Sequence, residues 1–185
     1  SAQIAAFYRI PSRGTGATTD SKQLDMQAGY EKAITLFMAA LGGINCLFYP
    51  GAIEAALTIS LESLVIDNEI CGMAYRALQG IEVNADTLAV PIIEAVGPGG
   101  NFLGQKHTLK FLRTEQFMPK LSNRQTREDW NEKAGGKSTW EKARDEVRRL
   151  LAEHKPPPLD ANVEAELEHI VREVDAREVP PKVFA

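Results

Sequence analysis

Cysteine is scarce in this sequence of 185 residues, which contains only Cys46 and Cys71. Their spacing matches no metal-binding pattern, and both lie in apolar runs, so we predict reduced core thiols in a cytoplasmic protein. Long apolar runs are missing as well. No stretch approaches the roughly 20 apolar residues of a membrane-spanning helix, and no secretory signal is evident, so we expect no membrane association.

Strong basic character is also missing, since the formal net charge is −4 and the isoelectric point is near 5.5. An acidic chain without a basic face predicts no nucleic-acid partner. The three histidines have no acidic or cysteine partners at ligand spacing, which argues against a zinc site. The loop at residues 97–100 lacks the lysine of a phosphate-binding loop and follows no predicted strand. These absences exclude several classes of function without indicating one.

Two short apolar runs, residues 7–10 and 44–49, each end at a proline and are typical of buried parallel strands. Residues 21–41 between them predict a helix. Its apolar residues are expected on one face: Leu24, Ala28, Ile34, Phe37, Met38 and Leu41. Strand, helix and strand form a βαβ unit, but two strands cannot close a barrel.

The rest of the chain is predicted to be helical, beginning with a long helix over residues 60–79. Asn84 and Asp160 are expected to cap helices, and Thr126 and Ser138 each open a capping-box pattern. A further short helix is predicted over residues 108–116. Three consecutive prolines at 156–158 form a stiff spacer before the last amphipathic helix.

Three segments carry a more specific signal: TTDSKQLDMQAGYE (residues 18–31), SLESLVIDNEICGM (60–73) and GPGGNFLG (97–104). Together they resemble the C-terminal part of the trimethylamine methyltransferase family. The resemblance implies an α/β fold, the (β/α)8 barrel, which needs roughly 250 residues. The chain would then be a mostly helical C-terminal piece, with barrel residues 1–122 and a helical extension over 123–185.

The resemblance also implies an enzyme that passes a methyl group from a methylated amine to a cobalt(I) corrinoid, a cobalamin, carried by a partner protein. Archaeal trimethylamine enzymes of the family carry pyrrolysine, whereas DSKQLD (residues 20–25), where we place that position, has standard residues only. This departure implies the branch without pyrrolysine, which is associated with quaternary amines such as glycine betaine. A piece that lacks most of the barrel is expected to be inactive alone.

Barrel enzymes build their sites from loops that follow the strands, and two loops qualify here. The first, residues 12–21, offers Arg13, Thr19 and Asp20 as candidate substrate-binding residues, and its glycines allow close approach of the backbone to a ligand. Asp20 has a second interpretation, as the cap of the following helix.

The second loop, residues 49–59, offers Tyr49 and Glu54. An aromatic face beside a carboxylate suits a quaternary ammonium, which the ring quadrupole stabilises and which has no proton to donate. His107, after the glycine loop, is a further candidate for contact with the corrinoid or a substrate carboxylate. Its alternative role is a backbone hydrogen bond at the start of the next helix.

Charged residues also occur along the long helix. Glu62, Glu69 and Arg76 recur at intervals of seven and share one face, and Asp67 lies off that face. A solvated stripe or an outer salt bridge explains this pattern. The many apolar residues among them favour a second interpretation, in which some of the acids are buried and paired and support the barrel.

Three further questions stay open at the level of sequence. The first is whether the two terminal amphipathic helices wrap the outside of the parent barrel or contact the corrinoid protein or a second subunit. The whole chain is alternatively a truncated, non-catalytic module that docks a corrinoid protein, or an unrelated helical binding protein. Unpaired strand edges predict self-association into a homo-oligomer.

Overall fold

The computed structural model of the chain describes residues 1–177, so residues 178–185 of the predicted helical extension lie outside it. The elements in chain order are α1 (Ala2–Tyr8), β1 (Arg13–Thr15), α2 (Met26–Leu41), β2 (Cys46–Phe48), β3 (Ala52–Ile53), β4 (Thr58–Ile59), α3 (Leu61–Leu78), α4 (Ala85–Leu88), α5 (Val90–Val96), α6 (Lys106–Thr114), α7 (Arg127–Glu132), α8 (Thr139–Glu153) and α9 (Ala161–Asp175). The chain is therefore mostly helical and of the α/β class.

The predicted βαβ unit is confirmed, because β1 and β2 pair in parallel with α2 between them. Gly14 lies opposite Leu47 in the register. A first loop, residues 16–25, follows β1, and a second loop, residues 49–59, follows β2. The second loop contains an antiparallel pair that the sequence did not predict, β3 with β4. These four strands form two separate pairs, and within residues 1–177 they do not close a barrel.

The strand predicted at residues 7–10 is wrong, because residues 2–8 form α1 and the strand lies further on, at Arg13–Thr15. Three alanines favour the helix in this segment. A short apolar run does not by itself distinguish a helix from a strand. The first loop consequently begins later than predicted, at residue 16, since Arg13 belongs to β1.

The buried face of α2 also differs from the prediction. Ala28 is buried as expected, but its buried companions are Lys32 and Leu36, whereas Ile34 and Met38 are exposed by 59% and 67%. Leu41 is exposed as well. The helix turns this face inward because Lys32 finds polar partners there, as described below.

The apolar core of the first part of the chain is small and lies between α2, α3 and the first loop. Ala17, Leu36 and Ala74 form its buried centre, with four partly buried residues packed against them: Phe37, Leu47, Ile70 and Cys71. Both cysteines are free thiols, but Cys46 is exposed, so its predicted place in the core is wrong. Burial raises the pKa of the Cys71 thiol, and the nearby carboxylate of Asp67 adds to this effect.

The predicted helix starts are confirmed in detail. Asn84 and Asp160 accept amide hydrogens at the starts of α4 and α9, and Thr126 does so at α7. Ser138 and Glu141 make the reciprocal pair of a capping box at the start of α8. These signals succeed because each capping bond joins residues only two or three positions apart.

The chain divides into two compact units, Ser1–Leu150 and Leu151–Ala185. In the first, Ala143 and Val147 of α8 are buried. In the second, α9 presents an exposed apolar side made of Val163, Leu167, Ile170, Val171 and Val174. Across the described part of the chain, no helix combines the length and the apolar character needed to cross a bilayer.

Candidate functional site

The two loops that follow the parallel strands meet. The backbone N–H of Glu54 donates to the carbonyl oxygen of Ser21 at 2.9 Å, and that of Ala55 donates to the carbonyl oxygen of Thr19 at 2.9 Å. The carboxyl ends of neighbouring parallel strands lie at one edge of a sheet, where barrel enzymes place their sites. The candidate site is therefore the surface formed by the first and second loops.

Both loops contain non-glycine residues in the left-handed region of backbone space. Ala17 has φ of 55°, Tyr49 has φ of 91°, and the three consecutive residues Glu54, Ala55 and Ala56 have φ of 53°, 51° and 69°. Each such residue costs about 1–2 kcal/mol, and the conformation persists only where its surroundings fix it. Such strain concentrates at functional sites.

Glu31 of α2 fixes the middle of the first loop. Its Oε2 accepts the Thr19 hydroxyl at 2.6 Å and the Asp20 backbone N–H at 2.9 Å, while Oε1 accepts from Gln27. The Thr19 hydroxyl and these further donors lower the pKa of the Glu31 carboxyl. Asp20 itself is exposed, and the cap of α2 is Asp25, so the interpretation of Asp20 as that cap is wrong. Glu31 was missed because its partners lie in a loop.

Aromatic and charged side chains lie along the two parallel strands and at the start of the second loop. The Arg13 guanidinium lies over the Phe48 ring, 3.8 Å from its centroid, and the Phe48 and Tyr49 rings are 4.2 Å apart. Tyr49 is 38% exposed and thus accessible to a ligand. The carboxylate of Glu54 accepts the Thr58 hydroxyl at 2.8 Å. An aromatic ring and a carboxylate, which Tyr49 and Glu54 bring to the same loop, are groups that stabilise an organic cation.

A buried ion pair between Lys32 and Asp67 lies beneath the two loops, and Lys32 was not predicted as the partner of a buried acid. Nζ of Lys32 donates to Oδ2 of Asp67 at 2.7 Å, to the carbonyl oxygen of Ala17 at 3.0 Å and to that of Ala52 at 2.7 Å. Oδ2 of Asp67 also accepts the backbone N–H of Gly51 at 2.6 Å. The side chains are 1% and 0% exposed. The pair therefore bonds to the backbone of both loops.

The acids of α3 divide between the two interpretations that the sequence left open. Asp67 and Glu69 are buried and hydrogen-bonded, so for them the burial of acids is confirmed. Arg76 forms its ion pair with Glu115, and no described contact joins it to Glu69. Glu62 is half-buried at the start of the helix. The regular spacing of seven therefore does not correspond to one salt-bridged stripe.

His107 lies in a different cluster from the other candidates. It belongs to α6, its Nε2 lies 2.7 Å from the carbonyl oxygen of Asp86, and its ring lies 4.6 Å from that of Phe111. The backbone hydrogen bond expected as its alternative role is confirmed. Within residues 1–177 no described contact connects His107 to the two loops, and no cluster of three or more potential metal ligands occurs there.

Comparison with known families gives a match over almost the whole chain. The family model described as trimethylamine methyltransferase (MTTB) matches residues 1–177. This range includes both loops, the buried ion pair and the helices that follow.

Individual relatives agree with the family model. A glycine betaine methyltransferase of Desulfitobacterium hafniense is 39% identical over 173 residues, which are 92% of this chain and 36% of the relative. The trimethylamine methyltransferases MttB2 of Methanosarcina mazei and MttB1 of Methanosarcina acetivorans are each 40% identical over 174 residues, 94% of this chain and 35% of each relative. The chain thus spans about a third of the length of these relatives.

Proposed function

The chain belongs to the trimethylamine methyltransferase family, and we propose that it forms part of a site that moves a methyl group from a quaternary amine to a cobalt(I) corrinoid. The corrinoid is the second substrate and is carried by a partner protein. In this proposal β1, α2 and β2 belong to a (β/α)8 barrel, and the protein acts in the cytoplasm. The two kinds of relatives, named for trimethylamine and for glycine betaine, support a methylated amine as the donor.

The observation that carries the proposal is the meeting of the first and second loops at the strand ends. Thr19 and Asp20 lie in the first of these loops and Tyr49 and Glu54 in the second, while Arg13 begins β1, the strand before the first loop. The Tyr49 ring offers a negative face and Glu54 a negative charge, which together suit a cation that has no proton to donate.

Arg13 supports a zwitterionic donor such as glycine betaine. Its guanidinium carbon lies 3.8 Å from the centroid of the Phe48 ring, and no carboxylate of residues 1–177 forms an ion pair with it. A planar guanidinium binds a carboxylate through two parallel hydrogen bonds. Arg13 would thus receive the carboxylate of the donor while Tyr49 and Glu54 hold its ammonium group.

The proposed reaction needs no acid or base catalysis from the side chains of this chain. The reduced corrinoid supplies the nucleophile, the bond between the methyl carbon and the nitrogen breaks, and the electron pair stays on nitrogen. A quaternary amine leaves as a neutral tertiary amine, so no general acid is needed. The side chains of the loops act by positioning the donor and by stabilising its positive charge.

The experiment that tests the proposal is a methyl-transfer assay with the full-length protein. Reduced cobalt(I) corrinoid is supplied with glycine betaine, trimethylamine or another methylated amine, and the spectrum is followed for methylcobalt(III). Methylation with a quaternary amine supports both the reaction and the donor class. Methylation with trimethylamine alone overturns the donor class, and no methylation with any amine, in a folded and reduced preparation, overturns the reaction.

A further inference from the structure

We infer that Lys32 and Asp67 are positioning residues, which set the placement of the first loop against the second and thereby the substrate contacts of the proposed function. The ammonium group of Lys32 has three hydrogens and directs two of them to backbone carbonyls, one in each loop, at Ala17 and Ala52. Asp67 takes the third and accepts the N–H of Gly51 with the same oxygen. The pair therefore holds main chain from both loops.

The backbone that the pair holds is strained. Ala17 has φ of 55° and Gly51 has φ of 87°, both in the left-handed region. Ala17 pays the steric cost of that conformation, which needs fixed surroundings to persist. Lys32 and Asp67 supply fixed surroundings at these two points, one in each loop.

Stability alone is a weak explanation for such a pair. Removing two charges from water is costly, and apolar residues of similar volume often replace a buried ion pair without loss of stability. Removing one partner alone destabilises strongly, because it leaves an unpaired buried charge. An apolar double variant therefore separates a positioning role from a stabilising one.

The test compares wild type with the double variant Lys32→Met/Asp67→Leu in the full chain by amide hydrogen exchange. We expect the unfolding free energy to fall, because the buried carbonyls of Ala17 and Ala52 and the N–H of Gly51 lose their partners, and we expect the Gly51 amide to exchange at least about tenfold faster than this overall loss accounts for. The amides of Glu54 and Ala55, which bond across the two loops, are expected to accelerate as well.

The matched control is Glu69→Gln, which removes the charge of the other buried carboxylate on α3. It is expected to accelerate exchange at residues 120–122 and to leave the Gly51 amide unchanged. If the double variant does not fold, Lys32→Met/Asp67→Asn serves in its place, because it leaves no unpaired buried charge, and the amides of Glu54 and Ala55 are then the readout. Wild-type exchange at Gly51, Glu54 and Ala55 in a folded variant overturns the inference.

A kinetic measurement in the full-length protein completes the test. We expect the variant to raise KM for the amine at least about tenfold with a smaller change in kcat, since the two loops that hold the donor lose their fixed position relative to each other. An unchanged KM beside loosened loops would remove the positioning role. Failure of wild type to methylate with any amine would instead overturn the proposed function, and the exchange data would still decide whether the pair fixes the loops.

Discussion

The carboxylate of Glu69 accepts the amide hydrogen of Leu121 at 2.6 Å, although the two residues lie 52 positions apart. The amides of Lys120 and Ser122 and the Ser122 hydroxyl donate to the same carboxylate. Four donors compensate the burial of one negative charge. Glu69 thereby fixes the segment after α6 against α3.

Glu69→Gln should destabilise this arrangement. The amide of glutamine has one accepting oxygen, and its NH2 group faces backbone donors that then lack an acceptor. We expect a loss of about 2 kcal/mol in unfolding free energy, measured by urea denaturation. Glu62→Gln, at a half-buried position on the same helix, is the control and should change stability by less than about 0.5 kcal/mol. Equal stability of the two variants would contradict the role of Glu69.

The same carboxylate should make stability depend on pH. Burial by itself would raise the pKa of Glu69, but its hydrogen bonds from Leu121, Ser122 and Lys120 outweigh burial and hold the pKa below the ordinary value of 4.5. The unfolded state therefore binds the proton more readily. The contribution of Glu69 is fully present above pH 4.5 and is lost as the pH falls through the lowered folded pKa.

The measurement is the unfolding free energy of wild type and of Glu69→Gln between neutral pH and about pH 3. We expect the difference between the two proteins to shrink as the solution becomes acidic. The carboxyl groups of Asp25 and Glu31 also have lowered pKa values, but they are present in both proteins and cancel in the difference. A difference that stays constant with pH would show that Glu69 is not the responsible group.

Long-range contacts of this kind explain what the sequence could not reveal. The start of α8 was predictable because Ser138 and Glu141 signal it within one turn. The partner of Lys32 lies 35 positions away, and a lysine on a helix is ordinarily solvent-exposed. The acceptor role of Glu69 depends on a loop with no distinctive sequence. Acidic residues among apolar ones indicated burial but did not identify their partners.

Gly72 and Gly29 offer a matched pair of helix substitutions with opposite outcomes. A methyl group at Gly72 would lie 2.6 and 2.7 Å from atoms of the Phe117 ring, whereas one at Gly29 meets no atom within 4 Å. We expect Gly29→Ala to stabilise by up to about 1 kcal/mol through helix propensity. Gly72→Ala should destabilise by about 1–2 kcal/mol, since overpacking outweighs that gain.

Thermal unfolding measures both effects, and Phe117→Leu in the Gly72→Ala background should recover part of the loss because it shortens the obstructing side chain. A stabilised Gly72→Ala single variant would contradict the packing of Phe117 against α3.

Tyr49→Ala should weaken donor binding in the full-length protein. If the ring holds the ammonium group, its removal raises KM for a quaternary amine by about tenfold or more, the equivalent of about 1–2 kcal/mol. Tyr49→Phe is the matched control, because it keeps the ring and the same backbone constraint, and it should retain near wild-type KM. Unchanged steady-state kinetics in a folded Tyr49→Ala protein would remove Tyr49 from the site.

Glu54→Gln isolates the charge of the second loop. Glutamine can still accept the Thr58 hydroxyl, so the loop geometry is expected to survive. We expect KM for a quaternary amine to rise by several-fold, on the scale of an electrostatic contact of about 1 kcal/mol. The rise should be smaller at high salt, and a KM equal to that of wild type at low salt would show that the charge does not contact the donor.

The site could be predicted only at the level of loops. The parallel pairing followed from residues 44–49 and the helix before them, so the sheet edge that carries the candidate site could be predicted. The first strand was misplaced because Arg13–Thr15 has little apolar character of its own. Residues 54–56 have positive φ angles, but no glycine in the sequence indicates this conformation. It depends on hydrogen bonds to the first loop, which form only in the folded chain.

The orientation of α2 has a consequence for how this chain tolerates mutation. Lys32 faces inward, whereas Met26, Tyr30 and Ile34 are more than half exposed. In a scan of all single substitutions, scored by folding of the chain, we therefore expect the reverse of the usual tolerance. Polar residues at Tyr30 or Ile34 would allow folding, whereas an apolar residue at Lys32 alone would not.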